Sequence, residues 1–303
     1  MASVGPVTIV FDFAKEVEKN QSAYFSIADT ILTAIYGPSA ASEDRDYDSY
    51  RGGAIFNFKG NNFAGEAGGL FIYNRNAAGR QPFGGQIITQ YVLQPYFKAK
   101  VGPLALQGEI NYMWGEWDYE NTRQNQRIDQ ITAFLDGDAN FGMFSVGGSF
   151  AYVQGDSNND VVKNAMTGGR DWDPCLIMFN NTTANSWIGG IGTYAGAGIT
   201  GEMSNAWFGQ LRGGVTPIPQ LNTGLSVSYA AADKIPQGFS GSYYGWEVDV
   251  TGTYKITNNL SYMLGLGYLH TGDFWKGVTD TVAGANNSVK DDYLLINKLT
   301  LSF

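Results

Sequence analysis

The segment 246–256 alternates large apolar side chains with charged or hydroxyl ones. One set of positions is apolar or glycine: Trp246, Val248, Val250, Gly252, Tyr254 and Ile256. The positions between them are polar: Glu247, Asp249, Thr251, Thr253 and Lys255. Because successive side chains of a β-strand point to opposite faces, the pattern predicts a strand with one apolar and one charged face. Such a strand needs water on one side and an apolar medium on the other.

The last segment of the chain, 293–303, repeats this alternation and indicates how far the strand reaches. Tyr293 and Phe303 fall on the same face, with leucines at several positions between them. At about 3.3 Å per residue the ten steps span about 33 Å. A tilt of about 40° reduces this to about 25 Å along the membrane normal, which is the height of the apolar band between two aromatic girdles. The segment is therefore predicted to cross a membrane as a β-strand.

Ten upstream segments complete a regular series of strands. Six alternate clearly, at 7–13, 50–58, 63–73, 104–114, 207–215 and 260–268, and four alternate less regularly, at 87–98, 127–137, 139–153 and 224–231. Short Gly-, Asn- and Pro-rich connections are expected at 59–62, 98–103, 137–140, 216–224 and 257–259. Long ones fall between them at 74–86, 115–126, 154–205, 232–245 and 271–290. Short periplasmic turns alternating with long extracellular loops are typical of bacterial outer-membrane barrels.

These patterns predict a single domain over 1–303, an all-β, transmembrane, antiparallel up-and-down barrel of the bacterial outer membrane. We expect 12 to 16 strands, with 12 to 14 favoured, because 24–36 is also strand-capable. Counting it would give thirteen strands and demand another upstream, so a truncated larger barrel stays an alternative. The start of the chain lacks a basic and apolar leader, which indicates a mature form or one whose start has been removed. Charged residues are 16% of the chain, against roughly 25% in soluble domains, which agrees with a wall half immersed in lipid.

The longest connection, 154–205, is predicted to fold into the barrel or over its mouth. It carries several large apolar residues that would not remain free in water. Within it we expect a constriction of the pore, formed by Asp171, Trp172, Asp173 and Phe179.

Charged residues on the polar side of the strands are the candidate pore lining. The expected set is Arg51, Glu66, Glu109, Arg212, Glu247, Asp249, Lys255 and Lys298. These charges nearly balance, whereas the whole chain has 28 acidic and 19 basic residues and a net charge of −9. The acidic excess lies mainly in the long loops, for example at 43–48, so we expect a weak preference for cations at the outer mouth. The same balance makes nucleic acid an improbable partner.

Patterns that would support enzymatic or cofactor chemistry are incomplete. His270 is the only histidine and is expected at the outer rim, without a serine on the same face of its strand. Asp156, Asn158 and Asp160 begin like a calcium loop, but Val161 stands where the motif requires glycine. Cys175 is the only cysteine, which excludes an internal disulfide, and it is expected to pack as a small apolar residue. We therefore predict a non-enzyme without a cofactor.

Two stretches resemble a known family. Residues 245–276 read GWEVDVTGTYKITNNLSYMLGLGYLHTGDFWK, and the chain ends in DDYLLINKLTLSF. Together with Gly155-Asp156, Asp173-Pro174 and Phe179-Asn180, they resemble outer-membrane porins, and more narrowly the alginate-export-like porins of delta-proteobacteria such as Geobacter relatives. The resemblance covers about the last 180 residues. It implies that Phe303 is part of the signal read by the barrel-assembly machinery. Alginate specificity is not carried over, because an alginate exporter needs a strongly basic lumen and the predicted lumen is mixed.

The function expected from the sequence is a passive diffusion channel for small polar solutes or ions. Lipid and lipopolysaccharide of the outer membrane would surround it, and homo-oligomerisation is left open. Two other classes compete: a structural or surface-binding barrel such as an adhesin or anchor, and a barrel that sheathes an electron-transfer partner. The chain has no haem-attachment motif, so any haem would belong to another protein. The sequence identifies neither the solute nor the pore radius.

Overall fold

The computed structural model describes most of the chain as one antiparallel sheet. The described residues are 2–17, 46–79, 85–119, 124–156, 162–163, 172–180, 202–236, 239, 241–276, 278–279, 286–287 and 290–303. The possible strand at 24–36 lies outside them. Within them, no helix is long and apolar enough to span a bilayer.

Twelve long strands form an up-and-down meander within a sheet of 14 strands. They are β2 (Val7–Val17), β3 (Tyr47–Lys59), β4 (Phe63–Asn76), β5 (Gln86–Val101), β6 (Leu104–Tyr119), β7 (Gln126–Phe141), β8 (Phe144–Val153), β10 (Ala206–Ile218), β11 (Leu221–Ala232), β12 (Tyr243–Lys255), β13 (Leu260–Thr271) and β16 (Asp292–Leu301). The sheet also contains two short strands, β1 (Ala2–Val4) beside β2 and β9 (Val162–Lys163) beside β7. A separate small hairpin joins β14 (Val278–Thr279) to β15 (Asn286–Asn287), and one 3-10 turn covers Asp273–Trp275. This confirms the predicted all-β, up-and-down architecture.

The register of the strands separates the side chains into two faces. Residues opposite one another on neighbouring strands share a face, so each row across the sheet can be followed from strand to strand. One row is mostly polar and defines the polar face: Asn57, Glu66, Lys98, Gln107, Asp136, Ser149, Gln210, Ser228, Glu247, Leu269 and Asp292. A row of opposite parity defines the apolar face: Phe63, Val101, Leu104, Ala139, Val146, Gly213, Leu225, Val250, Leu266 and Leu295.

The apolar face is exposed over many large side chains. Phe11 is 81% exposed, Leu211 74% and Leu295 67%. Near the end that carries the long connections, Phe13, Tyr50, Tyr73, Tyr91 and Trp114 follow one another across successive strands of this face. An exposed apolar sheet face bordered by aromatic rings is the surface that a membrane-spanning strand presents to lipid and its headgroups.

Four of the five expected turns are shorter than the sequence predicts, and one of these is misplaced. The expected turn at 137–140 lies inside β7, and the chain reverses instead at Gly142-Met143, where Gly142 has a φ of +66°. The polar residues Asp136 and Asp138 look like turn formers but lie on the polar face. The same effect shortens the expected 216–224 connection to Pro219-Gln220. All short turns still fall at one end of the meander and all long connections at the other.

Candidate functional site

Residues Trp172–Asn180, called here the docked segment, lie across the polar face of the later strands. The amides of Ile177 and Met178 both donate to the Glu247 carboxylate, at 2.7 Å each. The amide of Leu176 donates to Oδ2 of Asp249 at 3.2 Å. Three consecutive backbone donors of a non-helical segment are thus satisfied by two carboxylates of β12, which removes the cost of burying them.

The docked segment is held in shape by its own polar groups and by β10. Asn180 donates from Nδ2 to the carbonyl of Cys175 at 2.6 Å. Phe179 has a φ of +55°, a conformation that a non-glycine residue adopts only where its surroundings enforce it. Gln210 donates to the carbonyl of Pro174 at 2.6 Å and to the Ser228 hydroxyl at 3.0 Å. The segment is therefore anchored at both ends as well as at its centre.

Aromatic packing supplies the apolar part of the docking. Trp172 contacts Phe134 edge-on at a ring separation of 4.9 Å and Phe208 at 5.5 Å. Phe179 lies 6.0 Å from Phe208 and 5.8 Å from Tyr244, again edge-on. These rings join a buried cluster that includes Ile177 and Met178, at 0% and 1% exposure. Burial of such side chains contributes about 1.5–3 kcal/mol each, so apolar packing adds to the hydrogen bonds that hold the segment against the wall.

Two glycines of β13 leave room for the docked segment. A methyl group at Gly267 would lie 3.0 Å from Oδ1 of Asp249 and 3.3 Å from Cβ of Leu176. One at Gly265 would lie 3.0 Å from Cδ1 of Leu176. The glycines are therefore required by close approach of the segment to the wall.

Replacing Gly267 with valine should displace the docked segment. The added side chain would overlap the positions of Leu176 and Asp249, and the segment is the more easily moved partner. We expect Cys175, which is 2% exposed, to become reactive toward a water-soluble maleimide, with a labelling rate at least about tenfold above that of the parent protein. Gly252→Ala is the matched control, because a methyl group there meets nothing within 4 Å. Equal labelling of the Gly267→Val and parent proteins would contradict the role assigned to this glycine.

A second cluster on the polar face surrounds Arg212 of β10. Its guanidinium reaches Asp138 at 2.6 Å and Asp136 at 2.8 Å, both on β7. It also donates to the Ser149 hydroxyl at 2.6 Å, and that hydroxyl donates to Asp136 at 2.6 Å. One cation thus joins β7, β8 and β10 and compensates two carboxylates.

All eight residues expected to line the pore lie on the polar face, but their surroundings differ. Glu109 is exposed and accepts from Asn111 at 2.8 Å, and Arg51 pairs with Glu16 at 2.6 Å. Glu247 and Asp249 are only 0% and 4% exposed, because the docked segment covers them. Both carboxyl groups accept hydrogen bonds from the backbone of that segment. The pore-lining role of all eight residues stays a prediction.

Two water-accessible cavities flank the covered region. One of about 450 Å³ is lined by polar-face residues of β4 to β7, including Glu66, Lys98, Lys100 and Asp136. Another of about 400 Å³ lies beside the docked segment and is lined by Asp173, Cys175 and Asp249, among others. Within the described residues, the docked segment thus covers the polar face of the later strands, whereas the polar face of β4 to β7 near the short turns borders a water-accessible cavity.

The expected constriction and calcium residues are only partly within the described chain. Trp172, Asp173 and Phe179 belong to the docked segment, whereas Asp171 lies outside the described residues. Asn158 and Asp160 also lie outside them, and Asp156 ends the described part after β8. The calcium pattern therefore stays a prediction.

His270 lies on the apolar face near the end that carries the long connections, as expected. Its Nδ1 is 3.0 Å from Oδ2 of Asp291, and its ring lies 5.6 Å from that of Trp246. Asp291 also accepts from the Tyr268 hydroxyl at 3.0 Å and the Thr271 amide at 3.1 Å. The hydrogen bond from His270, followed by that from the Thr271 amide, lowers the pKa of Asp291 to about 2.

The depressed pKa of Asp291 has a measurable consequence. A carboxyl group whose pKa is lower in the folded chain contributes stability above its unfolded value, here near 3.8, and loses it as the pH falls toward 2. We expect NMR titration of the labelled carboxyl group to give a midpoint near 2, and the His270→Ala variant to raise it toward 3.8. A parent midpoint at the ordinary value would show that the contact with His270 does not persist in solution.

The partners that organise the site carry no motif in the sequence. Asp136 and Ser149 resemble ordinary strand residues, Asp138 falls in an expected turn, and Gln210 and Ser228 belong to no recognisable pattern. Only the alternation of polar residues at 136, 138 and 140 pointed to the polar face of a strand.

This chain is similar to known proteins in structure only. No protein-family model matches the chain. No curated protein sequence matches it. The structure is similar to that of OccK11 (OpdR) of Pseudomonas aeruginosa, with 12% identity, a TM-score of 0.41, and coverage of 99% of this chain and 68% of that one. The toluene transporter TodX of Pseudomonas putida has 9% sequence identity and a TM-score of 0.32. The match covers 85% of this chain and 70% of that one. The Salmonella typhi outer membrane phospholipase (OMPLA) dimer with bound calcium has 11% sequence identity and a TM-score of 0.31. The match covers 97% of this chain and 89% of that one.

The fold and its two faces define the class of protein. An up-and-down antiparallel meander with an exposed apolar face, a charged opposite face, short turns at one end and long connections at the other is a bacterial outer-membrane β-barrel.

Proposed function

We propose that this chain forms a passive outer-membrane channel for small polar solutes and ions, narrowed on one side by the docked segment. The observation that carries the proposal is the polar face of β4 to β7 near the short turns, where Glu66, Lys98 and Asp136 line a water-accessible cavity that no residue of the docked segment lines. Charged side chains on the inner wall of a barrel keep a path hydrated and set which solutes pass. The resemblance to alginate-export-like porins belongs to this proposal, without alginate as the solute.

The channel is tested by the conductance of purified protein in planar lipid bilayers. Stepwise conductance, reduced by neutral sugars below a limiting size, is the expected result and would give the pore radius. Folded protein that inserts into the bilayer but gives no conductance steps would refute the channel.

The proposed channel should prefer cations weakly, and the preference should fade with salt. The chain has an acidic excess, 28 residues against 19, and its long connections at the outer mouth hold many of the carboxylates. Their field acts over about 10 Å at 0.1 M salt and about 3 Å at 1 M. Reversal potentials across a KCl gradient, at low and high mean concentration, measure this. Anion preference at low salt would contradict the expectation, and undiminished cation preference at 1 M would move the selecting charges to a narrow constriction.

A structural or surface-binding barrel is the second candidate. The extensive aromatic docking of Trp172–Asn180 favours it, because apolar packing over the polar face of the later strands makes that part of the wall a rigid support. The conductance measurement separates the two. A sheath for an electron-transfer partner would instead be revealed by haem absorbance in protein purified from its native membrane.

A further inference from the structure

Cys175 of the docked segment lies against the two buried carboxylates of β12. One ligand atom from each of Cys175, Glu247 and Asp249 lies within 4.8 Å of the other two. The three residues are 2%, 0% and 4% exposed. A single ion at the centre of such a triangle would lie at most about 2.8 Å from each atom, so a contraction of about 0.5 Å would bring all three to bonding distance.

The carboxyl groups of this cluster form no ion pair with a basic side chain in the described part of the chain. Among the described residues, neither Glu247 nor Asp249 forms a salt bridge, and the guanidinium of Arg212 is engaged with Asp136 and Asp138. Oδ1 of Asp249 is buried and has no hydrogen-bond partner in the described part of the chain. Since a buried carboxylate oxygen without a partner is costly, this atom points to a missing cation.

We propose that Cys175, Glu247 and Asp249 bind a divalent transition-metal ion, with Zn²⁺ as the ion that suits the ligands. A thiolate with two carboxylates is a ligand set for zinc-like ions, whereas calcium and magnesium select oxygen ligands alone. Binding replaces the thiol proton of Cys175 by a sulfur–metal bond, and the proton is released to water. The positive charge of the metal ion compensates part of the negative charge of the two carboxylates and the thiolate.

The surroundings of the cluster suit a metal ligand set. Both oxygens of Glu247 accept amide hydrogens from Ile177 and Met178, which orients the carboxylate and leaves a lone pair on each oxygen. The Ser228 side chain forms a hydrogen bond with the Cys175 sulfur. The cavity of about 400 Å³ reaches Cys175 and Asp249, so a water molecule can occupy a fourth position.

Metal binding would attach the docked segment to the wall of the barrel. One ligand comes from the segment and two from β12, so the ion couples a long connection to a strand. This consequence rests on the proposed function: removal of the metal by a chelator should release the segment and raise the conductance of the channel.

Metal binding is tested on the full chain refolded in detergent, with Zn²⁺ or Co²⁺ as the sole added metal. We expect one ion per chain, a thiolate-to-cobalt charge-transfer absorption, and protection of Cys175 from a maleimide by Zn²⁺. Because the chain has a single cysteine, that absorption reports on Cys175 alone. Cys175→Ser should abolish the absorption and weaken Zn²⁺ binding at least about 100-fold, and Asp249→Asn at least about tenfold.

His270→Ala is the matched control, because the single histidine of the chain lies on the apolar face away from the cluster and should not affect binding. Absence of Zn²⁺ binding by the parent chain, equal binding by Cys175→Ser, or loss of binding in His270→Ala would overturn the site. The protection of Cys175 by Zn²⁺ is measured on the parent chain, so the test does not depend on the folding of any variant. A chain that conducts without binding metal would refute the site and leave the channel intact.

Discussion

Replacing Glu247 with glutamine should release the docked segment and increase the single-channel conductance. The carboxylate accepts hydrogen bonds from two successive amides, whereas a glutamine side chain offers one acceptor oxygen and turns an amide group toward the second donor. Leaving one buried amide without an acceptor costs about 2 kcal/mol, which shifts the ratio of docked to released segment about 30-fold. A released segment uncovers the polar face of β10 to β13, so the water-filled cross-section grows.

Glu109→Gln is the matched control for this substitution. Glu109 lies on the same face of the sheet, but it is exposed and accepts a hydrogen bond from the half-buried side chain of Asn111 instead of from a buried backbone. The same change of charge at that position should leave the mean conductance within its ordinary scatter. Maleimide labelling of Cys175 provides a second readout of release. Unchanged conductance together with unchanged labelling in Glu247→Gln would show that the two amide contacts do not hold the segment.

Replacing Arg212 with methionine should destabilise the barrel and make the channel more cation-selective. The substitution keeps an unbranched apolar stem but removes the guanidinium, which leaves Asp136 and Asp138 without their cation. Breaking a buried ion pair costs about 3–5 kcal/mol, and the side chain of Arg212 is 26% exposed, so a loss of about 2–3 kcal/mol is expected. Urea unfolding in lipid vesicles measures the stability, and the reversal potential in a KCl gradient measures the selectivity.

Neutralising the partners separates charge from packing in this cluster. The triple variant that adds Asp136→Asn and Asp138→Asn to Arg212→Met should recover most of the lost stability and return the selectivity to that of the parent. Lys298→Met is the matched single control, because Lys298 is an exposed cation on the same face of the sheet. A cost for Lys298→Met equal to that for Arg212→Met would show that the ion pairs of Arg212 carry no particular weight.

The two faces of the strands could be predicted from the sequence, and so could the positions of the charged residues on them. Alternation is a local property, because each residue of a strand points away from its neighbours. That is why Glu247 and Asp249 could be assigned to the polar face from 246–256 alone. Turn positions were less certain, since polar-face residues such as Asp138 have the composition of a turn while lying within a strand.

By itself, the sequence determined the class of the fold, the parity of its strands and the alternation of short and long connections. These follow from side-chain period and from the need to separate lipid from water, which act residue by residue. Only the tertiary structure decided that Trp172–Asn180 covers Glu247 and Asp249, that Arg212 joins two carboxylates of β7, and that Cys175 meets the same two acids. These contacts join residues about 70 positions apart in the chain. Strand register and the space left by Gly267 determine which distant groups come into contact. Neither can be predicted from the sequence next to the residues in contact.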